Sequence, residues 1–369
     1  MEIAIMGAGL SGLSCALTLE KMGITPTIFE SRRQVGDRFI NGEIMLSILN
    51  RPVKDSLAHL AEEHGIFLKP LSSIRKAVFH SQKEKASVHG HLGFCSMRGR
   101  HTLSFEKQLA ARVKSKIQFK SRHTYEELLQ SFTHVVMATG DASYTEKVQD
   151  FRVDMTGTIK GAIVAGEFDR YTVHTWLDNS LAPQGYGYLI PLSDTEANIA
   201  ISYPDYPKNR EKDIEVLWER YVQRVCRDLG QELKLQDAFE ITRYIVGISR
   251  YPRIGNTLFT GNCMTSIMPF LGFGQYAAIM TGIYAAHDLA GQGSYEELVK
   301  GLRQSYHNSL VLRRAMEKLN NSRLDSLVKK LDGRIAEKIF AYSHRDPLKL
   351  MSYLLRPWVK DAGGREEES

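Results

Sequence analysis

The chain has 369 residues, of which 43% are hydrophobic and 24% are charged, and its net charge is +6. These proportions are typical of a globular protein and exclude a mostly disordered or collagen-like chain. No segment contains the roughly 18 uninterrupted apolar residues that a membrane-spanning helix needs. The apolar N-terminus lacks the basic region of a signal peptide, and its glycines fit a turn between a strand and a helix better.

The cysteines are widely spaced and form no CxxC pair: Cys15, Cys95, Cys226 and Cys263. This spacing does not support a zinc ribbon or an iron–sulfur cluster, and we predict no metal site. Dispersed cysteines of this kind favour a reducing compartment, so a cytoplasmic location is predicted.

The N-terminus has the pattern of a βαβ unit that binds a dinucleotide. Residues 3–6 are predicted to form a strand, and the glycine-rich turn Gly7-Ala8-Gly9-Leu10-Ser11-Gly12 follows it. A helix is predicted over residues 13–22, and a second strand over residues 25–29 ends at the acidic residue Glu30. Gly7 allows the tight turn, Gly9 lets a pyrophosphate approach the backbone, and Gly12 lets the helix pack on the strand. The free N–H groups at the start of the helix then face the phosphates.

Glu30 stands about 20 residues after the glycine turn, where an acidic side chain hydrogen-bonds a ribose 2′-hydroxyl. Its negative charge disfavours a 2′-phosphate, so NADP is not expected in this site. The neighbouring Ser31 is counted among the predicted cofactor-binding residues.

Two later segments are buried strands that end at a glycine. The first occupies residues 133–139 and is followed by Gly140. The second occupies residues 257–260, followed by Gly261-Asn262 and then Pro269-Phe270-Leu271-Gly272-Phe273-Gly274. A helix rich in small residues begins there, and we predict that it packs closely on the first glycine turn: Ala277, Ala278, Gly282, Ala285 and Ala286.

Residues 151–248 alternate between short apolar strands and turns, which predicts an antiparallel sheet that roofs a substrate cavity. No second GxGxxG precedes a helix there, so a separate NAD(P)H domain is not predicted. Tyr186 and Tyr188 lie on one face of a strand. They either line an apolar pocket or belong to the packing of the sheet, and they are the candidate catalytic residues. His174 and Trp176 share a face of a neighbouring strand and are interpreted as a packed pair.

Together these motifs resemble the FAD fingerprints of the p-hydroxybenzoate hydroxylase superfamily. Within it, Gly185-Tyr186-Gly187-Tyr188-Leu189-Ile190-Pro191 is similar to a strand of the geranylgeranyl reductase family, and the resemblance covers about residues 1–300. The chain departs from the family pattern in several places. Asn262 replaces an aspartate, Ile190 replaces an aromatic residue, and Asn41-Gly42-Glu43 lacks the cysteine of some members.

The resemblance implies that the AMP half of FAD binds the first glycine turn and that the ring lies beside residues 269–274. The helix that begins there would direct its N-terminus to the N1–C2=O edge of the flavin. Arg38 would lie near the flavin or the substrate, and Arg100 is preferred over Arg98 as a ligand of the FAD phosphates. The implied cofactor-binding residues are Gly7, Ala8, Gly9, Leu10, Ser11, Gly12, Glu30, Ser31, Arg38, Arg100, Gly140, Gly261, Asn262, Pro269, Gly272, Phe273 and Gly274.

We therefore predict an α/β fold in which a Rossmann-type FAD-binding domain carries an inserted antiparallel β-rich substrate domain and a helical C-terminal segment. The FAD-binding domain is assigned to residues 1–70, 95–150 and 250–295. The substrate domain takes residues 71–94 and 151–249, the helical segment residues 296–362, and a disordered tail residues 363–369.

The C-terminal quarter holds the positive charge. Residues 300–360 contain 14 Lys and Arg but 5 Asp and Glu, so the rest of the chain is net acidic. Apolar residues recur there at steps of three and four, which predicts a basic amphipathic helix over Leu324, Leu327, Val328, Leu331, Ile335 and Ile339. Such a helix either packs on the core with a solvated basic face or lies on an anionic membrane. No nucleic-acid partner is predicted.

Four interpretations of function follow from these motifs. The leading one is an FAD-dependent oxidoreductase of geranylgeranyl-reductase type, which reduces an apolar, prenyl-like substrate with electrons from NAD(P)H or a ferredoxin-like donor. An aromatic-ring monooxygenase that uses NAD(P)H and O2 shares the same fingerprints. The third is a non-catalytic flavoprotein with structural FAD at a membrane surface, and the fourth is a chain that binds no FAD.

Overall fold

The computed structural model of the protein describes residues 1–333, 337 and 346–360. Its strands are β1 Ile3–Met6, β2 Thr27–Phe29, β3 Asn41–Leu46, β4 Ser72–His80, β5 Lys85–Arg98, β6 Ile117–Gln118, β7 His134–Met137, β8 Phe151–Ala165, β9 Thr172–Trp176, β10 Tyr186–Pro191, β11 Glu196–Pro204, β12 Lys234–Ser249, β13 Arg253–Ile254 and β14 Thr257–Phe259.

The helices follow the same chain order. They are α1 Leu10–Lys21, α2 Ser56–Glu62, α3 Phe105–Ala110, α4 Tyr125–Ser131, α5 Ala142–Val148, α6 Pro207–Arg210, α7 Ile214–Leu229, α8 Gln275–Leu289, α9 Tyr295–Met316, α10 Asn321–Leu331 and α11 Pro347–Lys360. Short 3-10 turns occupy Ser47–Asn50 and Gly261–Cys263.

The first sheet has the strand order β13-β14-β7-β1-β2-β6, and its pairs are parallel except β13 with β14. The central strand β1 is an uninterrupted apolar run because helices and loops cover both of its faces. Helices α1 and α8 pack together beside this sheet. The Ser14 hydroxyl donates to the Ile279 carbonyl at 3.0 Å, and a Cβ at Gly282 would lie 2.1 Å from the Ser11 carbonyl oxygen. The small residues of α8 therefore serve close helix packing.

The second sheet has the strand order β12-β8-β11-β10-β9-β4-β5-β3, and its pairs are antiparallel except β4 with β9. Helix α7 covers one face of this sheet, where Tyr221 packs with Trp176 and Leu189. The Tyr221 ring lies over the backbone of Gly187, where a Cβ would approach it to 2.3 Å. The predicted fold class is confirmed: a Rossmann-type sheet, a β-rich sheet and C-terminal helices.

Helix α7 lies within the segment that the sequence analysis assigned to strands alone. Its signals are present in the sequence: Asp213 accepts a hydrogen bond from the Glu215 N–H at its start, and Gly230 ends it in the left-handed conformation. The buried residues recur at helical spacing: Leu217, Trp218, Tyr221 and Val225. The division into domains remains a prediction. Strand β5 spans the predicted boundary between residues 94 and 95, and it pairs in the second sheet with β3 of the segment 1–70.

The predicted C-terminal amphipathic helix corresponds in part to α10. Leu324 and Val328 are buried, whereas Leu327 is exposed and the helix ends at Leu331. Ile335, Ile339 and the predicted tail at 363–369 lie outside the described residues. Within the described part of the chain, no helix combines the length and apolar character needed to cross a membrane.

Candidate functional site

A cleft of about 720 Å³ opens where β1, β2 and β7 end at their carboxyl termini. In open α/β sheets this edge is the usual ligand-binding position, and the volume lies in the range of about 300–1,000 Å³ that small-molecule sites occupy. The cleft is bordered by the first glycine turn, by the loops after β2, β7 and β14, by part of β12 and by the start of α8.

In the glycine turn of residues 7–12, two glycines are packed against other backbone atoms and one has free space beside it. Gly7 has a φ of +117°, and a Cβ there would lie 2.3 Å from the Ala138 carbonyl oxygen. A Cβ at Gly12 would lie 2.0 Å from the Gly7 carbonyl oxygen, so both glycines allow close backbone packing. A Cβ at Gly9 would meet no atom within 4 Å. Gly9 is the N-cap residue of α1, so space is left in front of the free N–H groups of that helix.

The acidic residue predicted at the end of β2 points into this cleft. The Glu30 carboxylate accepts hydrogen bonds from the Ala8 N–H and the Arg32 N–H, each at 2.9 Å. Ser31 borders the cleft beside it. The carboxylate is therefore fixed next to the glycine turn, with its charge at the wall of the cleft.

The opposite wall is formed by the turn after β14 and the start of α8. The Asn262 amide donates to the Gly140 carbonyl at 3.1 Å and to the Tyr244 hydroxyl at 3.3 Å, and its oxygen accepts from the Ser266 hydroxyl. Gly272 and Gly274 border the cleft just before the first turn of α8. The three predicted motifs are thus brought together around one cleft.

A smaller cavity of about 110 Å³ adjoins this cleft at the start of α8. The two cavities share Arg38, Glu43, Ile241, Tyr244, Ile267 and Gly272 as lining residues. Most of the other residues around it are apolar or aromatic, and Phe39 stacks on Phe239 with ring centroids 4.5 Å apart. Pro269 and Phe273 line this smaller cavity, although the sequence analysis placed both among the cofactor-binding residues.

Both candidate catalytic tyrosines line the smaller cavity. The Tyr186 hydroxyl donates to the Leu271 carbonyl, which ties β10 to the loop before α8. The Tyr188 hydroxyl makes no hydrogen bond within the described residues. Burial raises the pKa of Tyr186 and of Tyr188 above the usual range of tyrosine, so both hydroxyls stay protonated at neutral pH.

A buried charged network that no sequence motif indicated lies behind the point where the cavities meet. Arg98 donates to Glu106 at 2.5 Å and to Glu43 at 3.3 Å, and the Gln275 amide also donates to Glu43 at 2.5 Å. Burial alone would lower the pKa of Arg98, but the two carboxylates raise it. The network joins β3, β5, α3 and α8, and a sequence signal for it would have required knowing that β3 pairs with β5.

The two predicted arginines have different positions. Arg38 lines both cavities, its Nε is buried without a hydrogen-bond partner among the described residues, and burial together with Arg98 lowers its pKa. Arg100 is 50% exposed and pairs with Asp237 at 3.3 Å, and it is absent from the cleft lining that the structure describes. The structure therefore does not bring Arg100 to the cleft, because β5 ends at Arg98 and the turn at Gly99 directs the chain to the surface.

His174 and Trp176 lie away from both cavities. Their rings stack with centroids 5.7 Å apart, and His174 hydrogen-bonds His80 at 3.1 Å. Burial lowers the pKa of His174 to about 3, so its ring is neutral. This geometry agrees with the interpretation as a packed pair.

Comparison with known proteins shows that the fold is similar to that of solved flavin-dependent enzymes. Residues 5–43 match the family model described as NAD(P)-binding Rossmann-like domain. A geranylgeranyl bacteriochlorophyll reductase-like protein from Thermoplasma acidophilum is similar over 98% of both chains, with a TM-score of 0.72 and 17% sequence identity. The chain has the fold of flavin-dependent enzymes. The resemblance inferred from the motifs is thereby confirmed at the level of the fold.

Two further solved structures extend this similarity to other reactions. A flavin-dependent brominase is similar over 99% of this chain and 100% of its own, with a TM-score of 0.68 and 11% identity. Aklavinone-11 hydroxylase, in a complex with FAD and aklavinone, is similar over 88% of this chain and 70% of its own, with a TM-score of 0.59 and 15% identity. Because one fold carries reductive, halogenating and hydroxylating chemistry, the reaction of this chain must be argued from its own residues.

Proposed function

We propose that this protein binds FAD and is an FAD-dependent oxidoreductase that acts on an apolar small molecule. One observation carries the proposal: a cleft that begins at a dinucleotide-type glycine turn ends at the start of α8, where a second, largely apolar and aromatic cavity joins it. An elongated dinucleotide in the cleft would present its redox-active end to a substrate in the second cavity.

The residues present fit FAD along the whole cleft. Glu30 and Ser31 would hold the adenosine ribose, and the N–H groups at Gly9 and the start of α1 would hold the pyrophosphate. Gly140 would lie on the adenine side of the cofactor, and Gly261 and Asn262 would face the ribitol and the phosphates. The side-chain space left open at Gly9 supports this fit, because a phosphate must approach the backbone there.

The chemistry would be supplied by the flavin, which transfers a hydride or electrons. The N-terminus of α8 would stabilise negative charge on the ring by about 1 kcal/mol. Reduction of a carbon–carbon double bond adds one hydride and one proton, so a proton donor is also required. Tyr188 is the better candidate of the two tyrosines, because the hydroxyl hydrogen of Tyr186 is engaged by the Leu271 carbonyl.

The substrate is proposed to be prenyl-like or otherwise apolar, with electrons from NAD(P)H or a ferredoxin-like donor. The aromatic lining also suits a ring-shaped substrate, since Phe39, Phe239, Tyr244 and three other tyrosines line the smaller cavity. An aromatic-ring monooxygenase is therefore the second candidate. A peripheral contact of the C-terminal helices with a membrane belongs to the proposal as well.

Absorption spectroscopy of the purified protein tests the proposal. We expect the visible bands of an oxidised flavin, which bleach on anaerobic addition of dithionite. Bleaching by NAD(P)H, with substrate-dependent O2 uptake in air, would favour the monooxygenase, whereas bleaching by a ferredoxin-like donor alone would favour the reductase. If FAD binds tightly but no electron donor supports turnover, the result would favour a non-catalytic flavoprotein in which FAD is structural. A colourless protein that takes up no added FAD would contradict the proposal.

Replacement of Glu30 by alanine tests the nucleotide end of the cleft. The substitution removes a charged acceptor from the Ala8 and Arg32 N–H groups and from the proposed ribose contact. We expect FAD affinity to fall by the equivalent of about 1.5–3 kcal/mol, the contribution of a charged hydrogen bond. Titration of the apoprotein with FAD, followed by fluorescence quenching, measures the change. Glu62→Ala, at an exposed position on α2, is the matched control and should bind FAD as the unaltered protein does.

A further inference from the structure

Helix α11 exposes large apolar residues on its outer side, whereas a helix that packs on a core buries such residues. Large apolar side chains on its outer face are strongly exposed: Leu354 by 71%, Leu350 by 60%, Met351 by 44% and Trp358 by 40%. Ser352 on the opposite side is fully buried. A surface helix of a globular protein normally buries its apolar stripe and exposes its polar one. We call the four exposed residues the outer face of α11.

The spacing of the outer face matches one side of a helix. Leu350, Leu354 and Trp358 follow one another at steps of four, and Met351 lies beside them. Contiguous apolar surface of this kind marks an interaction site rather than ordinary scattered exposure. The structure describes no residue that covers it, as the exposure of Leu354 demonstrates.

The cations around the outer face identify the chemistry of its partner. Lys349 and Arg356 are the described cationic side chains of α11, and its sequence contains no acidic residue. The Arg356 guanidinium lies 4.4 Å from the centroid of the Tyr353 ring. Lys318 of α9 donates to the Trp358 carbonyl at 2.7 Å, and its ammonium lies 4.8 Å from the centroid of the indole ring. Apolar residues bordered by cations and by Tyr and Trp complement the boundary between acyl chains and anionic headgroups.

The outer face has a fixed place relative to the candidate active site. Helix α11 packs on α9, where Arg356 donates to the Asn308 side chain at 2.9 Å. On the same helix, the Ser309 hydroxyl accepts from the Phe270 N–H at 2.9 Å, and Arg313 lines the smaller cavity. Helix α9 thus connects α11 to the loop before α8 and to the proposed substrate cavity.

We propose that α11 lies flat on the surface of an anionic lipid bilayer, with its outer face in the headgroup–acyl boundary and with Lys349 and Lys318 near the lipid phosphates. The helix has 14 residues, too few for the roughly 20 that cross a bilayer, so it binds the surface without spanning it. This deepens the membrane contact proposed above by naming the helix and the lipid class, and it does not depend on the flavin chemistry.

Sedimentation of the full-length protein with vesicles tests this surface. We expect binding to vesicles of equal parts phosphatidylglycerol and phosphatidylcholine, weaker binding to phosphatidylcholine alone, and loss of binding as salt screens the charges. Leu354→Glu should weaken binding by about tenfold or more, since it removes a leucine that the bilayer would bury and adds a charge that the anionic headgroups repel. Val216→Glu, which alters an exposed apolar residue on α7, is the control and should bind normally.

Trp358 provides a second measurement that does not rely on a substitution that adds charge. The other two tryptophans, Trp176 and Trp218, are buried, so brominated phosphatidylglycerol should quench Trp358 selectively. Quenching should disappear in Trp358→Phe, while sedimentation of that variant with vesicles persists because the ring it introduces is also apolar.

Three results would overturn the proposal. They are a failure of the unaltered protein to sediment with anionic vesicles, equal sedimentation of Leu354→Glu, and self-association that Leu354→Glu abolishes without any vesicle binding. The last result would assign the outer face to a second copy of the chain. The flavin spectrum of the pellet separates this proposal from the preceding one: colourless protein on vesicles contradicts only FAD binding, and yellow protein in the supernatant contradicts only membrane binding.

Discussion

Replacement of Gly9 by valine is expected to abolish FAD retention without disturbing the fold. A side chain at Gly9 meets no protein atom within 4 Å, and its backbone has φ −90° and ψ −171°, which valine adopts readily. The added methyl groups would occupy the space in front of α1 that the pyrophosphate needs. Loss of two charged hydrogen bonds, at about 1.5–3 kcal/mol each, corresponds to an affinity at least about 100-fold lower.

The measurement is the flavin content of the purified variant, together with its circular dichroism and thermal unfolding. Gly301→Val is the matched control, because Gly301 lies on α9 with equally open space around its Cα and far along the chain from the cleft. The control should retain its flavin. If Gly9→Val keeps a full flavin spectrum, the pyrophosphate does not bind at this turn.

Replacement of Arg98 by methionine is expected to destabilise the fold strongly. Arg98 is the cation between Glu106 and Glu43, and Glu106 is buried. Methionine fills similar space but removes the one cation that is hydrogen-bonded to both carboxylates within the described residues. Breaking a buried ion pair by removing one partner typically costs about 3–5 kcal/mol, because an uncompensated charge stays in the interior.

Urea unfolding of the apoprotein measures this cost without interference from bound cofactor. Arg100→Met is the control two residues away, where an exposed pair with Asp237 should contribute about 0–1 kcal/mol. If Arg98→Met does not fold, Arg98→Lys keeps the charge and should give a measurable intermediate loss. Equal effects of the methionine substitutions would show that the buried network does not hold β3, β5 and α3 together.

The nucleotide half of the site was predictable because its signals are local. The glycine turn of residues 7–12 and Glu30 belong to one βαβ unit, and Gly272 and Gly274 directly precede the helix that they allow to start. Such motifs combine turn chemistry, helix starts and apolar runs over a few consecutive residues. These motifs therefore predict a dinucleotide cofactor even when the contacts between distant parts of the chain are unknown.

The charged network and the different positions of Arg98 and Arg100 could not be predicted from local motifs. Glu43 meets Arg98 because β3 pairs antiparallel with β5, and nothing near either residue specifies that pairing. Both arginines precede α3 with similar spacing, so their sequence context could not separate them. The turn at Gly99, with a φ of +84°, leaves one inside and the other on the surface.

Local motifs alone therefore identified the fold class and the strand, turn and helix segments that surround the cleft. The composition of the smaller cavity, the role of Glu43 and the outward face of α11 emerged only from the folded chain. Their physical basis is long-range packing: a cavity is lined by side chains from β3, β8, β10, β12 and the loop before α8. Hydrophobic periodicity shows that one side of α11 is apolar, but only its packing on α9 determines that this side faces outward.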